Sequence, residues 1–593
     1  MKKFPLIATA LAVACLFVAA PNPAAQDSTP TKDTTAQEAK AVDYLIICAD
    51  GLKQVADDWA KYRADNGRVT KVMPMSSITH PEDMDLPGLT EIKNAILETA
   101  GGDEIREGFQ VLLLGDCPNN SSTDYDAKTE IPWMLTRQMD SNPTVSRRER
   151  VPTDNFYADL VQDDDGLPDI AVGRIPARTV DEARLALAKV KAYEAAKQGE
   201  WLRNLTFFAG EGHFGAVIDG MLEKLFIQFA ESLSQAHNVR MTYANINSPY
   251  AYVPTQFSDK VIEEANAGAL LLCYLGHGAH DRLDDMYVEV DGKNKRYPIL
   301  TSDDVSKFNI EGGKLPVMMI IACETGHLDH PQGCLAEKIC FTEKAPVAVI
   351  ASSRDSHPYS NTLLEKAMVH ELTDNYAPTL GQAFMDAKRE LVLATDPDRK
   401  RLDMMAMFII PEKERIELNQ SHQSLYNLTG DPGLRIQYPK LKLSMRLGAG
   451  GEPIKADSEL SVIIDSTEDI GELDAEIWVE CTRATLAHEV KEFDKAALTG
   501  ADGKKREAAE KIVAQNHANS NDKHLAALKA KPDGKASTET TLEDGSKTKT
   551  WQYFFKGKLD SPLEPGDYIL KVFARDSKGE RCGFAAVKLN VSK

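Results

Sequence analysis

Short apolar runs separated by helical stretches are the feature that most limits how this chain can fold. Five of these runs are residues 44–48, 111–114, 269–274, 317–322 and 347–351. An uninterrupted apolar run of this length is typical of a strand buried on both faces, and strands that alternate with helices predict a parallel sheet. We therefore expect two consecutive α/β subdomains, residues 43–178 and 179–438.

The chain changes character after residue 438. Residues 439–593 contain short strands of alternating apolar and polar residues separated by turns, which predicts a β-sandwich. Residues 484–548 are rich in Lys, Ala, Glu and Asp and interrupt this pattern. We expect them to form a charged insert that is helical and partly disordered.

Residues 1–25 have the layout of a secretory signal peptide, with two lysines, an apolar run and small residues before the cleavage point. A polar, threonine-rich leader follows at residues 26–42. An uncleaved anchor is the alternative, but the apolar run is short for a bilayer span. We expect an exported protein, periplasmic, cell-surface or extracellular, with no membrane span after cleavage.

Charge and cysteine content restrict the partners and the chemistry. The net charge of −21 argues against nucleic acid as a partner, because phosphate binding needs a basic surface. Nine cysteines, one of them in the predicted signal peptide, are too few for a disulfide scaffold in a chain of this length, and no CxxC pair occurs. We therefore expect at least one thiol to be kept for chemistry.

Two of the apolar runs lead to residues that can react with a carbonyl group. The run 269–274 is followed by His277, which lies between two glycines. The run 317–322 is followed directly by Cys323. Because the carboxyl ends of neighbouring parallel strands lie at one edge of a sheet, we expect His277 and Cys323 to lie together there.

A thiol beside an imidazole can cleave an amide. The sulfur attacks the carbonyl carbon, while the imidazole, with an ordinary pKa of about 6.5, accepts a proton and returns it to the leaving amine. The backbone amides of Gly278 and Cys323 are candidate donors to the oxyanion. A single cysteine is more often a core residue and a single histidine a loop residue, so spacing alone leaves both interpretations open.

The segments around these residues resemble the gingipain family of cysteine peptidases, which shares the sheet of the caspase and legumain clan. The similarity includes His-Gly after one apolar strand and Ala-Cys-x-x-Gly after the next. Further similar segments are residues 113–116, 153–157, 169–174, 334–337, 347–352 and 430–432. The resemblance covers about residues 42–438. It implies a caspase-like fold in two subdomains, a following immunoglobulin-like domain, and endopeptidase activity on proteins or peptides.

The resemblance also implies roles for individual residues. Cys323 is the nucleophile, His277 the general acid and base, and Glu211 the residue that orients the histidine. Asp219 lies where the family carries an aspartate that pairs with Arg or Lys before the scissile bond. Each acid also has a structural interpretation, Glu211 in a surface turn and Asp219 near a helix start.

Two other functions stay open at this point. The loop before Asp219 is shorter than in the family, which permits a non-catalytic binding or secretion-associated protein on the same scaffold. A histidine-rich rim would suit a zinc-dependent hydrolase. The histidines of this rim are His277, His280, His327, His330 and His357. The Cys–His pair explains the layout without a metal and no HExxH segment occurs, so we expect no required cofactor.

The acidic turn at residues 163–166 is a candidate site for structural calcium, because carboxylates and turn carbonyls suit this cation. A solvated acidic turn is the more common alternative. The residue preference before the scissile bond, the activation route and the oligomeric state are not predicted.

Overall fold

The computed structural model describes residues 41–592 except 80–85, 103, 118–132, 146–149, 162–164, 213–232, 291–292, 409, 449, 451–452, 456–457, 501 and 542–546. The elements below belong to the unit Val42–Lys593. The predicted signal peptide and all but residues 41–42 of the predicted leader lie outside the described residues. Among the helices that are described, none combines the length and apolar composition needed to cross a membrane.

The strands before residue 439 form one large sheet and three small pairs. They are β1 (Tyr44–Cys48), β2 (Thr70–Pro74), β3 (Gln110–Leu114), β4 (Arg137–Asp140), β5 (Arg150–Thr153), β6 (Ala171–Ile175), β7 (Asn204–Ala209), β8 (Asn238–Tyr243), β9 (Leu271–Leu275), β10 (Gly278–Ala279), β11 (Arg282–Leu283), β12 (Asp285–Val290), β13 (Lys293–Pro298), β14 (Val317–Ile321), β15 (Ala348–Ser352) and β16 (Tyr426–Thr429). Ten of them form a sheet in the order β2-β1-β3-β6-β16-β15-β14-β9-β7-β8. The pairs β4–β5, β10–β11 and β12–β13 are antiparallel.

The sheet is covered on both faces by helices. The described helices are α1 (Lys53–Asp65), α2 (Leu86–Ala100), α3 (Asn155–Ala158), α4 (Val180–Glu194), α5 (Phe257–Asn266), α6 (Leu335–Cys340), α7 (Pro358–Thr373), α8 (Leu380–Leu393), α9 (Pro397–Ala406), α10 (Glu412–Leu425) and α11 (Gly503–Asn521). Successive residues of β1 enter two different apolar clusters, Tyr44 and Ile46 in one, Leu45 and Ile47 in the other. A strand buried on both faces explains the uninterrupted apolar run, as predicted.

One edge of this sheet collects the ends of several strands. β7, β9, β14 and β15 are parallel neighbours, so their carboxyl ends lie at the same edge, which we call the site edge. β16 runs antiparallel to β15, and its first residue, Tyr426, pairs with Ser352 at the end of β15. Tyr426 therefore also lies at the site edge.

The C-terminal region is a β-sandwich, as the alternating pattern predicts. Its strands are β17 (Leu443–Leu447), β18 (Ile454–Lys455), β19 (Leu460–Ser466), β20 (Leu473–Cys481), β21 (His524–Thr541), β22 (Lys547–Leu559), β23 (Gly566–Asp576) and β24 (Cys582–Ser592). They are hydrogen-bonded in the order β17-β19-β22-β21-β20-β23-β24-β18. Residues from both halves of this order, such as Val462, Phe555, Leu570 and Ala585, enclose one apolar cluster.

The predicted charged insert is helical only in part. Residues 503–521 form α11, but residues 524–541, for which we also expected helix, form β21. This strand pairs along most of its length with β22 and with part of β20. Pairing first with β20 and then with β22 overrides the helical preference of its Lys- and Ala-rich first half.

The insert also contacts the edge strand of the large sheet. The Asn521 side chain accepts a hydrogen bond from the backbone N–H of Met241 at 2.8 Å and donates one to its carbonyl at 2.9 Å. His517 Nε2 lies 3.0 Å from the Thr242 hydroxyl. Since Met241 and Thr242 belong to β8, the outermost strand, α11 satisfies backbone groups of an otherwise open sheet edge.

Candidate active site

The turn that carries Cys323 is held closely at the site edge. The N–H of Gly326 donates to the carbonyl of Ser352 at 2.8 Å. A Cβ on Gly326 would lie 2.9 Å from the Ala351 side chain, so the turn packs directly on β15. Glu324, the next residue after Cys323, has a φ of 56°. A positive φ in a residue other than glycine is uncommon and indicates that the surroundings fix this turn.

The sulfur of Cys323 has a defined set of partners. The N–H of Ser356 donates to Sγ at 3.3 Å, and the Ser356 hydroxyl lies 3.9 Å from Sγ. Asn361 Nδ2 donates to that hydroxyl at 2.8 Å, and the Tyr426 hydroxyl donates to Asn361 Oδ1 at 2.8 Å. Ser356, Asn361 and Tyr426 are buried, so this network fixes Ser356 from behind.

The environment of Cys323 favours a neutral thiol. Burial raises the pKa of the Cys323 thiol, because a thiolate is poorly solvated there. The Ser356 amide acts in the opposite direction, whereas the carboxylates of Asp355 and Glu324 add to the increase. A nucleophile with this environment needs a neighbouring base that removes its proton during attack.

The loop that carries His277 lies directly against the Cys323 turn. A Cβ on Gly278 would lie 2.7 Å from Thr325 Cγ2 and 2.9 Å from both Ala322 Cβ and the Cys323 carbonyl oxygen. Only glycine permits this approach. The structure thus brings together the two segments that the sequence places at the ends of neighbouring strands.

Backbone groups fix the conformation of the His277 loop. Gly276 has a φ of 153°, and a Cβ there would lie 2.5 Å from the Tyr274 hydroxyl. That hydroxyl donates to the His277 carbonyl at 2.8 Å. The His277 side chain is exposed, and its Nε2 lies 2.9 Å from the Gly212 carbonyl oxygen.

Glu211 lies one residue from the carbonyl that His277 contacts. Asn245 Nδ2 donates to Glu211 Oε1 at 3.0 Å. Glu211 is half-buried and follows the end of β7 at the site edge. The structure therefore brings Glu211 into the neighbourhood of His277. Asp219, the predicted pocket residue, lies outside the described residues, as do residues 162–164 of the predicted calcium turn.

The remaining histidines of the rim form a stack beside the site. The rings of His280 and His330 stack with centroids 4.0 Å apart, and His327 meets His330 edge-on at 5.1 Å. Burial and the nearby Arg354 guanidinium lower the pKa of His327 to about 4. Across the described ranges, three candidate ligand atoms lie within 4.8 Å of one another only at His370, Glu371 and Glu390. The described histidines of the rim do not form such a group.

Three segments that resemble the gingipain family have structural roles here. Asp431 is buried and accepts hydrogen bonds from Tyr44 Oη at 2.6 Å and from Arg63 Nη2 at 2.5 Å. Arg174 is fully buried and paired with Asp154 at 2.7 Å. The first set of contacts joins β1 and α1 to the segment after β16, and the second joins β6 to the residue after β5.

Sequence patterns alone did not indicate Ser356, Asn361, Tyr426 or Asn245. Ser356 lies just beyond the end of β15 and Tyr426 is the first residue of β16, so the end of β15 could have drawn attention to residues 353–357. Asn361 lies inside a helix, and Asn245 lies in a loop after β8. Only the folded chain relates these two asparagines to the site.

A model of peptidase family C25 matches residues 37–437. The solved structure of the Arg-specific cysteine proteinase gingipain R (RGPB) is 14% identical, with 94% of this chain and 100% of that chain covered and a TM-score of 0.48. The complex of Porphyromonas gingivalis RgpB pro- and mature domains is 15% identical, with 93% and 100% covered and a TM-score of 0.47. Dimeric latent PorU from the same organism is 14% identical, with 94% and 44% covered and a TM-score of 0.33. No curated protein matches the chain in sequence.

Proposed function

Because the chain belongs to peptidase family C25, we propose that it is an exported cysteine endopeptidase whose catalytic dyad is Cys323 and His277. The family gives the reaction class: the protein is a cysteine-type peptidase, and its substrates are polypeptides. One observation carries the choice of residues. The His277 loop packs against the Cys323 turn so closely that a Cβ on Gly278 would overlap it.

In the proposed reaction, Sγ of Cys323 attacks the carbonyl carbon of the scissile bond while its proton passes to His277. The tetrahedral intermediate collapses, the C–N bond breaks, and the leaving amine takes the proton from His277. A water molecule then attacks the thioester, with its proton again accepted by His277. Collapse of this second intermediate returns the proton to Sγ and releases the carboxylic acid. Burial that keeps the Cys323 thiol neutral supports proton transfer during the attack.

Backbone amides supply the proposed stabilisation of the oxyanion. Those of Gly278 and Cys323 belong to the two segments in contact. An amide in this position typically lowers the barrier by about 3 kcal/mol. We propose that Glu211 orients His277, which is supported by its position next to the Gly212 carbonyl.

Substrate recognition and location complete the proposal. Asp219 is proposed to bind a basic side chain before the scissile bond, on the family resemblance alone. The reaction requires only side chains of the chain and water, so we propose no required cofactor, and structural calcium at residues 163–166 remains a proposal. Export is proposed from the signal-like residues 1–25.

The test is cleavage of reduced, carboxymethylated casein by the purified mature chain and three variants. Cys323→Ala should lose at least about 10⁴-fold in kcat/KM and His277→Ala about 10³-fold, because one removes the nucleophile and the other the proton acceptor. Cys481→Ala, which removes a buried thiol in β20 of the sandwich, should cleave at the wild-type rate. Undiminished cleavage by Cys323→Ala would refute the assignment of the nucleophile.

A further inference from the structure

Exposed large apolar side chains are concentrated in one stretch of the described chain. Nine are well exposed across all the described residues, and five of these nine lie between residues 393 and 416. These five are Leu393, Met404, Met407, Phe408 and Ile416. Phe408 is the most exposed of them, at 86%. Apolar side chains scattered singly need no explanation, but a concentration of this kind is typical of a surface that binds another molecule.

This apolar surface belongs to α9, α10 and the described residues that join them, a segment that we call the hairpin and whose second helix ends at the site edge. α10 ends at Leu425, and the next residue, Tyr426, pairs with Ser352 at the end of β15. The hairpin therefore enters the sheet at the edge where the Cys323 turn lies. The exposed Met139 side chain is beside it, with Sδ 3.5 Å from the Ser424 hydroxyl.

Direct contacts connect the hairpin to the residues that follow Ser356. The His357 N–H donates to His422 Nε2, on α10, at 2.8 Å. The Tyr359 hydroxyl donates to the Asp403 carboxylate, on α9. Since the amide of Ser356 contacts Sγ of Cys323, only one residue separates the nucleophile's partner from the start of α7 and its contacts with the hairpin.

The hairpin is fixed from inside, so its apolar side chains are exposed on an ordered support. Arg399 is buried, and its guanidinium contacts Asp403 at 3.2 Å and the Leu391 carbonyl at 2.9 Å. Arg415 donates to the Ile410 carbonyl at 2.8 Å. A fixed backbone with flexible methionines and one exposed phenyl ring suits a surface that adapts to varied apolar partners.

We propose that this surface, defined by Met404, Met407, Phe408 and Ile416, binds apolar side chains of the polypeptide substrate away from the scissile bond. The proposal rests on the proposed function, because its occupant is the chain that Cys323 cleaves. The contacts of His422 and Asp403 with His357 and Tyr359 favour this occupant, because they place α10 and α9 next to the segment that follows Ser356. An anionic membrane is less suited, because exposed basic side chains such as Arg401 and Lys413 are paired with Asp398 and Glu417.

The experiment compares binding and cleavage in a double variant, Met407→Ser with Phe408→Ser. Its matched control is Leu486→Ser, an exposed apolar residue of the C-terminal region. Fluorescein-labelled, carboxymethylated casein is titrated with Cys323→Ala protein that carries either change, and fluorescence anisotropy gives Kd. The double change should raise Kd about tenfold and the control should leave it unchanged, because two apolar side chains lose their contact with substrate.

Turnover provides the second measurement, in protein that keeps Cys323. KM for casein should rise with the double change, while kcat/KM for a short peptide around a mapped cleavage site stays at the wild-type value. An unchanged Kd for casein would overturn the proposal. An equal loss of kcat/KM with casein and with the short peptide would also overturn it. A dimer of the parent protein that the double change converts to monomer would instead assign the surface to a second copy. If no cleavage depends on Cys323, the proposed function is refuted. The anisotropy measurement needs no cleavage, so it still decides whether the surface binds casein.

Discussion

The two proposed catalytic side chains are held in opposite ways. Cys323 is largely enclosed, and its sulfur contacts an amide that the buried network of Ser356, Asn361 and Tyr426 fixes. His277 is exposed, and its ring meets a backbone carbonyl on a neighbouring loop. The proposed nucleophile is thus positioned by the core of the fold, whereas the proposed acid and base is positioned by surface loops.

The loops on the histidine side also connect with the C-terminal region. Asn245, which holds Glu211, lies in the segment between β8 and α5. The insert of the β-sandwich holds this segment through Ser520, which donates to the Pro249 carbonyl at 3.0 Å, and through the His517 ring, which meets Tyr252 edge-on with centroids 5.2 Å apart. The β-sandwich therefore contributes to the histidine side of the site and has no described contact with the sulfur network.

Activity should be most sensitive to the contact between the His277 loop and the Cys323 turn. Gly278→Ala places a methyl group within 3 Å of Thr325, Ala322 and Cys323, so the histidine loop must move away from the sulfur. We expect kcat/KM on casein to fall about hundredfold, since misplacement by about 1 Å costs that much. Gly51→Ala, where a Cβ meets nothing within 4 Å, is the control and should keep wild-type activity. Normal activity of Gly278→Ala would show that the loops need not touch.

The hydrogen bonds that position the Cys323 sulfur can be weakened without substituting Cys323 itself. Asn361→Ala removes the donor that fixes Ser356, so the Ser356 amide should hold the sulfur less well. Because this amide lowers the thiol pKa, its displacement should move the pH dependence of Cys323 alkylation by iodoacetamide to higher pH. We expect kcat to fall about tenfold with little change in KM, as for the loss of one buried hydrogen bond.

The control for this variant is Asn419→Ala, which removes another buried asparagine, the acceptor of the Ser360 hydroxyl. It should lose comparable stability but leave the alkylation profile in place. Equal shifts in both variants would mean that Asn361 acts only through the stability of the fold.

The loss of a hydrogen bond on the histidine side should reduce activity less strongly. Asn245→Ala removes one hydrogen bond to Glu211, and we expect about a threefold loss of kcat with an altered pH profile of kcat/KM. Asn375→Ala, which breaks an asparagine–glutamate bond at Glu371, is the matched control. If the pH profile coincides with that of the wild type, Asn245 does not take part in positioning Glu211 and His277.

Local sequence patterns predicted the sheet and the ends of its strands, whereas contacts between residues distant in sequence became visible only in the folded chain. The apolar runs predicted the parallel sheet, and the strand ends predicted that His277 and Cys323 share an edge, because both depend on local sequence. The residues behind the sulfur come from β16 and α7 and meet only in the folded chain. β21 was missed because its Lys- and Ala-rich start resembles a helix, and pairing with β22 decides its conformation.

The central claim is that Cys323 is the nucleophile. None of the eight cysteines of the described chain forms a disulfide; seven of them are buried and Cys323 alone is partly exposed. The most direct measurement is mass-spectrometric mapping of the mature chain after reaction with a peptide acyloxymethyl ketone, a thiol-directed probe. We expect one adduct, on Cys323, and we expect it to form much more slowly in His277→Ala than in the wild type. An adduct on another cysteine, or full cleavage activity in protein fully labelled at Cys323, would contradict the claim.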